Sequence, residues 1–414
     1  MLKLRIIDAD NERAIARLLA TTSGDDRAFE RRVQTIVDGV RTGGDRALAR
    51  FAKRFDDVSG PIEVTAAEMR AGAARAEPAV RRAIRNAAAS IAKVAARQIP
   101  KHFDVEVTRG VSIEQRIEPL ARVGCYVPAG RFPLPSSLLM TAVPARVAGV
   151  REVYVACPRP EPAVLAAALE AGVTKLFRIG GAHAIAAFAF GTRTVPRVDK
   201  IVGPGNRYVA AAKAIVARRC AIDFYAGPTE IVIVSGSGRA EWIAADLIAQ
   251  AEHDPDARAL FITWSRTLAQ RVVGFVATRS TGRAIAQQSL AANGAIIVTG
   301  NADEAMTLAN RFAAEHLVLE SEALARRPLT AGAVFIGRYT AQAAGDYATG
   351  SNHVLPTSGA ARFRGGLSAA DFVRVMSVQR LTRAGLARLA PTIVPLARAE
   401  GLEAHAESIE MRLK

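Results

Sequence analysis

Residues 230–263, EIVIVSGSGRAEWIAADLIAQAEHDPDARALFIT, contain the pattern that decides the fold. The apolar run Glu230–Val234 is typical of a buried strand, and Arg258–Thr263 is a second run of the same kind. Between them, residues 240–253 place alanine, isoleucine and leucine at helical spacing. A strand, a helix and another strand in this order predict a βαβ unit on a parallel sheet.

The same alternation extends in both directions along the chain. Strand-like runs are separated by alanine-rich helical stretches, which gives two consecutive sets of βαβ units. We therefore predict an α/β protein with two doubly wound, mainly parallel domains and small helical segments at both ends. The further predicted strands are 153–156, 176–179, 200–202, 295–298, 317–319 and 334–336. The further predicted helices are 28–55, 66–97, 163–171, 184–190, 208–218, 268–277, 302–313 and a helical tail from 371 that ends with 401–412.

The composition excludes several classes of protein. Of the 414 residues, 50% are hydrophobic, which supplies enough apolar surface for large cores and excludes intrinsic disorder. No apolar run reaches the roughly 18 residues that a membrane helix needs, and the charged N-terminus does not resemble a signal peptide. Three cysteines without a CxxC pair argue against a disulfide scaffold. We expect a soluble, cytoplasmic protein.

The net charge of +16 leaves two interpretations open. An excess of basic residues attracts nucleic acid and other polyanions. The basic residues are scattered, however, and neither a basic block nor a zinc-finger spacing occurs. The pattern favours a solvated surface with no nucleic-acid or membrane partner. A polyanion-binding or regulatory protein on a retired enzyme fold is the alternative.

Two glycine turns are candidates for an anion-binding crevice. Gly180-Gly181 and Gly203-Pro-Gly-Asn206 each follow a predicted strand and precede a predicted helix. Backbone N–H groups at a helix N-terminus bind anions, although ordinary turn glycines have the same placement. Neither turn has the complete GxGxxG pattern, and the chain contains no GxxxxGK[ST] sequence.

Two of the six histidines, His253 and His316, lie near other side chains that can bind a metal ion or transfer a proton. Asp246, Gln250 and His253 share one face of a predicted helix. Glu315 directly precedes His316 at the start of a predicted strand. Two adjacent titratable residues suit general acid–base catalysis, and chance adjacency is an equal alternative.

Two further segments carry functional side chains. Residues 345–353, GDYATGSNH, form a polar loop, and Glu400 and His405 lie close to the C-terminus. Together with the other histidines they offer nitrogen and oxygen donors, which suit Zn²⁺ or Mn²⁺ and not an iron–sulfur cluster. Because HExxH and CxxC are missing, the pattern alone indicates a metal site only weakly.

Nine short motifs occur in a characteristic order along the chain. They are GCYVPAG (124–130), PLPSSLLM (133–140), VDKIVGPGN (198–206), AGPTE (226–230), QAEH (250–253), EH (315–316), GDY (345–347), NHVLPT (352–357) and EGLEAH (400–405). In this order they resemble the histidinol dehydrogenase family. The resemblance implies two incomplete Rossmann-like domains, one inserted in the other. It also implies a homodimer that oxidises L-histidinol to L-histidine through the aldehyde, with NAD⁺ and one Zn²⁺ per site.

The resemblance also implies a division of the chain. The first domain would comprise 23–120 and 230–367 and carry the zinc and acid–base residues, and the inserted domain, 121–229, would bind NAD. Residues 1–22 would form an N-terminal segment, and 368–414 a C-terminal segment that reaches the active site of the partner subunit.

The family's functional residues match this chain position by position. Glu315 and His316 match the acid–base pair. The zinc ligands match Gln250, His253 and Asp346 of one subunit and His405 of the other. The dinucleotide contacts match Tyr126, His183 and Asn206. The substrate pocket matches Thr229, His353 and Glu400, together with the acid–base pair and the zinc ligands.

Three residues depart from the family pattern. His183 replaces a glutamine that contacts NAD, Thr229 replaces a serine, and Ala341-Gln342 replaces Pro-Glu. If the lost carboxylate at residue 342 faces the substrate ammonium group, its absence weakens recognition of an amino alcohol. The alternative is therefore a paralogue with the same zinc and acid–base set that oxidises another small polar alcohol.

Overall fold

A computed structural model describes residues 4–20, 26–128, 133–225 and 227–414. In these ranges the strands form two six-stranded sheets and one three-stranded sheet. The predicted α/β class with mainly parallel sheets is confirmed. The strands are β1 (Arg5–Asp8), β2 (Glu63–Val64), β3 (Phe103–Thr108), β4 (Val111–Pro119), β5 (Arg122–Tyr126), β6 (Glu152–Ala156), β7 (Lys175–Phe177), β8 (Lys200–Val202), β9 (Ala221–Ile222), β10 (Glu230–Val234), β11 (Arg258–Thr263), β12 (Ala295–Val298), β13 (His316–Leu319), β14 (Ala333–Ile336) and β15 (Val373–Leu381).

The first sheet is parallel throughout, with the order β1-β12-β11-β10-β13-β14. From β12 to β14 this is the doubly wound order 3-2-1-4-5, which reverses direction between β10 and β13. β10 is buried along its whole length, as its uninterrupted apolar run predicts for a central parallel strand.

The second sheet has the order β2-β7-β6-β5-β8-β9. Its strands are parallel except for β2, which pairs with β7 in the antiparallel direction. From β7 to β9 it repeats the order 3-2-1-4-5, so its reversal lies between β5 and β8. The two sets of βαβ units in the sequence therefore form two sheets of matching topology.

The helices in the described ranges include those that cover both faces of each six-stranded sheet and others that lie outside these faces. They are α1 (Glu12–Leu19), α2 (Arg27–Asp56), α3 (Ala66–Ala74), α4 (Pro78–Gln98), α5 (Pro135–Val147), α6 (Pro162–Glu170), α7 (Gly181–Phe190), α8 (Arg207–Val216), α9 (Ala240–Ala251), α10 (Arg266–Arg279), α11 (Ala284–Asn293), α12 (Ala302–Phe312), α13 (Glu322–Ala325), α14 (Gln342–Tyr347), α15 (Arg383–Ala399) and α16 (Glu403–Met411). On the first sheet, α9, α10 and α11 lie opposite α1 and α12. On the second, α4, α5 and α6 lie opposite α2, α7 and α8.

The prediction of a helical tail from residue 371 is wrong in its first part. Val373–Leu381 is a strand, β15, which pairs antiparallel with β4 in a sheet of order β15-β4-β3. Its sequence, VRVMSVQRL, contains three valines, which favour a strand, and it alternates apolar and polar residues except at Val375-Met376 and Gln379-Arg380. The helices α15 and α16 then follow as predicted, and α16 packs against α15.

Most other predicted boundaries differ by one to three residues, and three differences affect the interpretation of the fold. The predicted helix 66–97 is divided into α3 and α4, because Pro78 favours the first turn of a new helix. The predicted helix 240–253 ends at Ala251, so His253 lies beyond it. The N-terminal segment contains β1, which is the edge strand of the first sheet. Its sequence, RIID, has two apolar residues between charged ones and therefore lacks the apolar run that indicates the other strands.

The division of the chain into domains stays a prediction. Across the part of the chain that the structure describes, no helix combines the length and the apolar character needed to cross a membrane.

Candidate active site

Glu315 and His316 lie at the amino end of the first sheet, beside its reversal point. His316 is the first residue of β13, and Glu230 is the first residue of the adjacent β10. Doubly wound sheets bind ligands at their carboxyl ends as a rule. The topology alone therefore could not predict this position.

The Glu315 carboxylate is buried and accepts two hydrogen bonds. Its Oε2 atom accepts from the Thr229 hydroxyl and, at 3.0 Å, from the N–H of Glu230. Burial raises the pKa of Glu315 to about 7; the hydrogen bonds oppose this rise, and the charge of Asp346 adds to it. A carboxyl group with this pKa exchanges protons at neutral pH, which suits a general acid–base catalyst.

His316 is held in one tautomer by the neighbouring strand. Its Nδ1 atom lies 3.2 Å from the carbonyl oxygen of Glu230. Because a carbonyl oxygen only accepts, Nδ1 carries the hydrogen and Nε2 has the lone pair. Burial lowers the pKa of His316 to about 4, so the ring is neutral at pH 7. A neutral imidazole with a free Nε2 can accept a proton.

Two buried atoms at this site have no hydrogen-bond partner among the described residues. They are Nε2 of His316 and Oε1 of Gln250. Gln250 is fully buried at the end of α9, and its Nε2 atom donates to the Thr229 hydroxyl at 2.6 Å. The orientation of the amide therefore leaves Oε1 as a free acceptor. Burial of an unpaired acceptor is costly. This cost indicates that a bound ligand supplies the missing partner of each atom.

His253, Asp346 and His353 bring further donor atoms to the same cluster. Nδ1 of His253 donates to the Gln250 carbonyl at 3.2 Å, and Nδ1 of His353 donates to the Asp346 carbonyl at 3.1 Å. Both rings therefore keep Nε2 free for a ligand. The charges of Asp346 and His253 act on the acid–base pair, which shows that these groups are close together.

Gln342, the departure noted in the sequence, is buried one helical turn before Asp346. Its Nε2 atom donates to Asp346 Oδ2 at 2.9 Å. The amide therefore orients the carboxylate, a role that sequence comparison did not indicate. Weaker recognition of a substrate ammonium group because of Gln342 stays a prediction.

The structure does not place His405 in this cluster. His405 is exposed in α16, and Glu400 is exposed at the end of α15. Over the described ranges, no three histidine, cysteine, aspartate or glutamate side chains are grouped closely enough to hold a metal ion. Of the four zinc ligands that the resemblance predicts, one chain supplies Gln250, His253 and Asp346 to this cluster, and a tetrahedral zinc site needs a fourth ligand.

Tyr126, His183 and Asn206 lie together at the carboxyl ends of the second sheet. They line a cleft of about 790 Å³. The Tyr126 hydroxyl accepts from the N–H of Gly181 at 3.0 Å, and Asn206 caps the N-terminus of α8. Both glycine turns therefore meet in one crevice beside the reversal of the sheet, where doubly wound folds bind their ligands.

His183 has a buried partner that the sequence did not reveal. Its Nε2 atom lies 2.7 Å from Oδ2 of Asp56, the last residue of α2, and the same oxygen accepts from the N–H of Gly180 at 2.9 Å. His183 and Asp56 are 127 positions apart in the sequence. No local pattern links them, so only the tertiary structure shows the pair.

Comparison with known proteins identifies the family. The family model described as histidinol dehydrogenase matches residues 19–413. The chain is 44% identical over 422 residues to histidinol dehydrogenase from Syntrophotalea carbinolica, with 98% of each chain covered. A relative from Haloarcula marismortui is 46% identical over 394 residues, with 92% of this chain and 93% of the relative covered.

This chain belongs to the histidinol dehydrogenase family. The crystal structure of histidinol dehydrogenase from Elizabethkingia anophelis matches it with a TM-score of 0.93 and 33% identity, over 99% of this chain and 98% of the other. The prediction of a histidinol dehydrogenase, an oxidoreductase of histidine biosynthesis, is confirmed.

The family motifs are almost entirely within the described residues. Ala129, Gly130 and Ala226 lie outside them. Thr229, which replaces the family's serine in the AGPTE motif, has a hydroxyl that joins Gln250 to Glu315. This substitution therefore preserves the hydrogen-bond chain of the site.

Proposed function

We propose that this member of the histidinol dehydrogenase family oxidises L-histidinol to L-histidine with one zinc ion and two molecules of NAD⁺, in active sites shared between two subunits. The observation that carries the proposal is the pair of buried, unpaired atoms, Oε1 of Gln250 and Nε2 of His316, beside the Glu315 carboxyl. One atom suits a metal ligand, and the other suits a base.

Gln250, His253 and Asp346 would hold the zinc ion, with His405 of a second copy as the fourth protein ligand. Amide oxygen, imidazole nitrogen and carboxylate oxygen form a donor set that accepts Zn²⁺. The hydrogen bonds from His253 to the Gln250 carbonyl and from Gln342 to Asp346 orient these ligands. When bound, zinc supplies a positive centre that positions the imidazole and amine nitrogens of the substrate.

The acid–base pair would act in sequence. His316 takes the alcohol proton on Nε2, which its Nδ1 hydrogen bond leaves available. Glu315 then removes a proton from the water that adds to the aldehyde, since its carboxylate form is populated near pH 7. Each of the two oxidations removes a hydride from the substrate carbon, and NAD⁺ supplies the acceptor.

The cleft formed by Tyr126, His183 and Asn206 would bind NAD. It contains the N-termini of α7 and α8, whose backbone N–H groups favour a pyrophosphate. The aromatic rings of Phe51 and Phe55 lie about 6 Å from the His183 ring and add apolar surface to the cleft.

The exposed C-terminal region supports a dimer with shared sites. In the single chain, Leu396, Leu402 and Met411 of the α15–α16 region are 59%, 41% and 69% exposed. Exposed apolar side chains in one region are typical of an interface. A two-fold interface that buries this region can carry His405 of each subunit to the other's cluster.

The test measures zinc content and product stoichiometry in the same preparation. We expect one zinc per chain and two NADH per L-histidinol consumed, and removal of zinc by a chelator should abolish turnover until zinc returns. Gln250→Ala and His253→Ala should lower the zinc content, whereas His102→Ala, at an exposed histidine paired with Asp104, should not. Full turnover without bound metal would overturn the zinc assignment, and oxidation of other polar alcohols in preference to L-histidinol would overturn the substrate.

A further inference from the structure

Glu230 contacts both acid–base residues through its backbone, yet the proposed mechanism gives its side chain no role. Its N–H donates to Glu315 Oε2 at 3.0 Å, and its carbonyl accepts from His316 Nδ1 at 3.2 Å. Its carboxyl group is buried, with the residue 7% exposed. Burial of a carboxyl group is costly unless hydrogen bonds or opposite charges compensate it.

The Glu230 side chain lies on the opposite face of the sheet from Gln250. Side chains alternate between the faces of a strand, and in β10 Ile231 and Ile233 pack with α9, whereas Val232 and Val234 pack with α12. Glu230 shares the α12 face, where it lines a cavity of about 510 Å³. The residue therefore contacts the acid–base pair through its backbone and the cavity through its side chain.

The lining of the cavity carries basic side chains. Its lining includes Arg258 of β11, Arg311 of α12 and Arg362, which follows Gly359 in a short helical turn. The N–H of Ser358 donates to Glu230 Oε1 at 2.9 Å. The charges that act on the Glu230 carboxyl are those of Glu315 from the site and of Arg258 from the cavity, whereas Arg311 and Arg362 lie elsewhere on the cavity lining. Water and small anions can enter such a space.

The two carboxyl groups are suited to proton exchange. Burial raises the pKa of Glu230 to about 7, repulsion from Glu315 adds to the rise, and Arg258 opposes it. The pKa of Glu315 is also raised to about 7, mainly by burial. Groups with matched pKa values pass a proton without a large free-energy cost in either direction.

Oxidation of an alcohol to a carboxylate releases protons at every stage. The alcohol loses one, the water that adds to the aldehyde loses one, and the acid product ionises. Glu315 and His316 are both buried, at 7% and 4% exposure. Substrate and cofactor would cover the remaining exposed surface during turnover, so a second route to solvent is needed.

We propose that Glu230 conducts protons from Glu315 to the arginine-lined cavity on the far face of the sheet. The protonated Glu315 carboxyl gives up its proton, the Glu230 carboxylate takes up a proton, and that proton then passes to water or buffer in the cavity. Glu315 returns to its carboxylate form, and no other bond changes. The inference rests on the proposed acid–base role of Glu315, and Glu230 is a proton carrier that does not touch the substrate.

The test is Glu230→Gln in the zinc-loaded enzyme, with L-histidinol and NAD⁺ saturating. The amide keeps an oxygen for the Ser358 N–H but cannot carry a proton. We expect kcat at pH 7 to fall by about 10- to 100-fold, to rise continuously with pH, and to show a larger solvent deuterium isotope effect. In Glu230→Ala, formate should restore part of kcat in a concentration-dependent way, since the arginines favour a small carboxylate.

Asp246→Asn is the matched control. Burial raises the pKa of Asp246 to about 6, and it lines a different cavity, near Trp242 and Glu320. The Asp246→Asn substitution should leave kcat, the isotope effect and the response to formate unchanged. The proposal is wrong if Glu230→Gln keeps the wild-type pH profile and isotope effect. It is also wrong if kcat falls without any response to pH, deuterium or formate, because a structural role then explains the loss. Inactivity of the wild-type enzyme, or full activity of Glu315→Gln, would instead overturn the proposed function.

Discussion

Replacement of Thr229 by valine tests the control of the Glu315 carboxyl. The Thr229 hydroxyl donates to Glu315 Oε2 and accepts from Gln250 Nε2 at 2.6 Å, so it joins the proposed base to a proposed metal ligand. Valine has nearly the same shape and can do neither. A hydrogen bond to a charged group contributes about 1.5–3 kcal/mol, which corresponds to about one to two pH units at 1.36 kcal/mol each.

The sign of the effect follows from the direction of the pKa change. The lost hydrogen bond stabilises the ionised form, so its removal raises the pKa of Glu315 further above 7. At pH 7 the ionised fraction falls from about one half to about 1–10%. We therefore expect kcat at pH 7 to fall by about 5- to 50-fold, with recovery about one to two pH units higher.

The assay is the pH dependence of kcat for NADH formation, measured from pH 5.5 to 10 with saturating L-histidinol. Thr229→Ser keeps the hydroxyl and should retain the wild-type profile. A Thr229→Val profile that is lower at every pH, with no displacement along the pH axis, would refute the reasoning. Zinc content must be measured in parallel, because Gln250 loses an acceptor in the same variant.

Three further predictions concern other parts of the molecule. His316→Ala should lower kcat by about 10²- to 10⁴-fold with zinc still bound, and loss of zinc in this variant would contradict the assignment of a base. Lys213→Met removes one partner of a buried ion pair, in which Nζ lies 2.7 Å from Asp223 Oδ1. Urea unfolding should show a loss of about 3–5 kcal/mol, and an unchanged midpoint would contradict this. His183→Ala leaves the buried Asp56 carboxylate without its imidazole partner, and should raise KM for NAD⁺ by about tenfold with KM for L-histidinol unchanged.

The repeated strands and helices could be predicted because their patterns are local. β8, β10, β11 and β12 have the predicted bounds, since each is a short apolar run between turns or helices. The prediction missed β15 because it extended the helical periodicity of the following residues too far toward the N-terminus. The three valines and the partial alternation in VRVMSVQRL are the local indications of the strand.

The residues of the candidate site could be named from motifs, but their arrangement could not. Glu230 and Glu315 are 85 positions apart, and Asp56 and His183 are 127 apart, so their contacts depend on the packing of whole sheets and helices. The alternation of faces along β10 decides that Glu230 enters a second cavity. The alternation can be predicted from the sequence, but the presence of a cavity next to the Glu230 side chain cannot.

Mixing two inactive variants tests the central claim, that an acid–base pair in one subunit works with a ligand from the other. One chain carries His405→Ala, and the second carries Glu315→Gln with His316→Ala. A heterodimer contains one site with an intact acid–base pair and an intact His405, contributed by different chains. In an equal statistical mixture we predict recovery of about a quarter of wild-type activity, because half of the dimers are heterodimers and each has one working site. No recovery, with subunit exchange demonstrated independently, would contradict the shared site and place His405 outside its partner's active site.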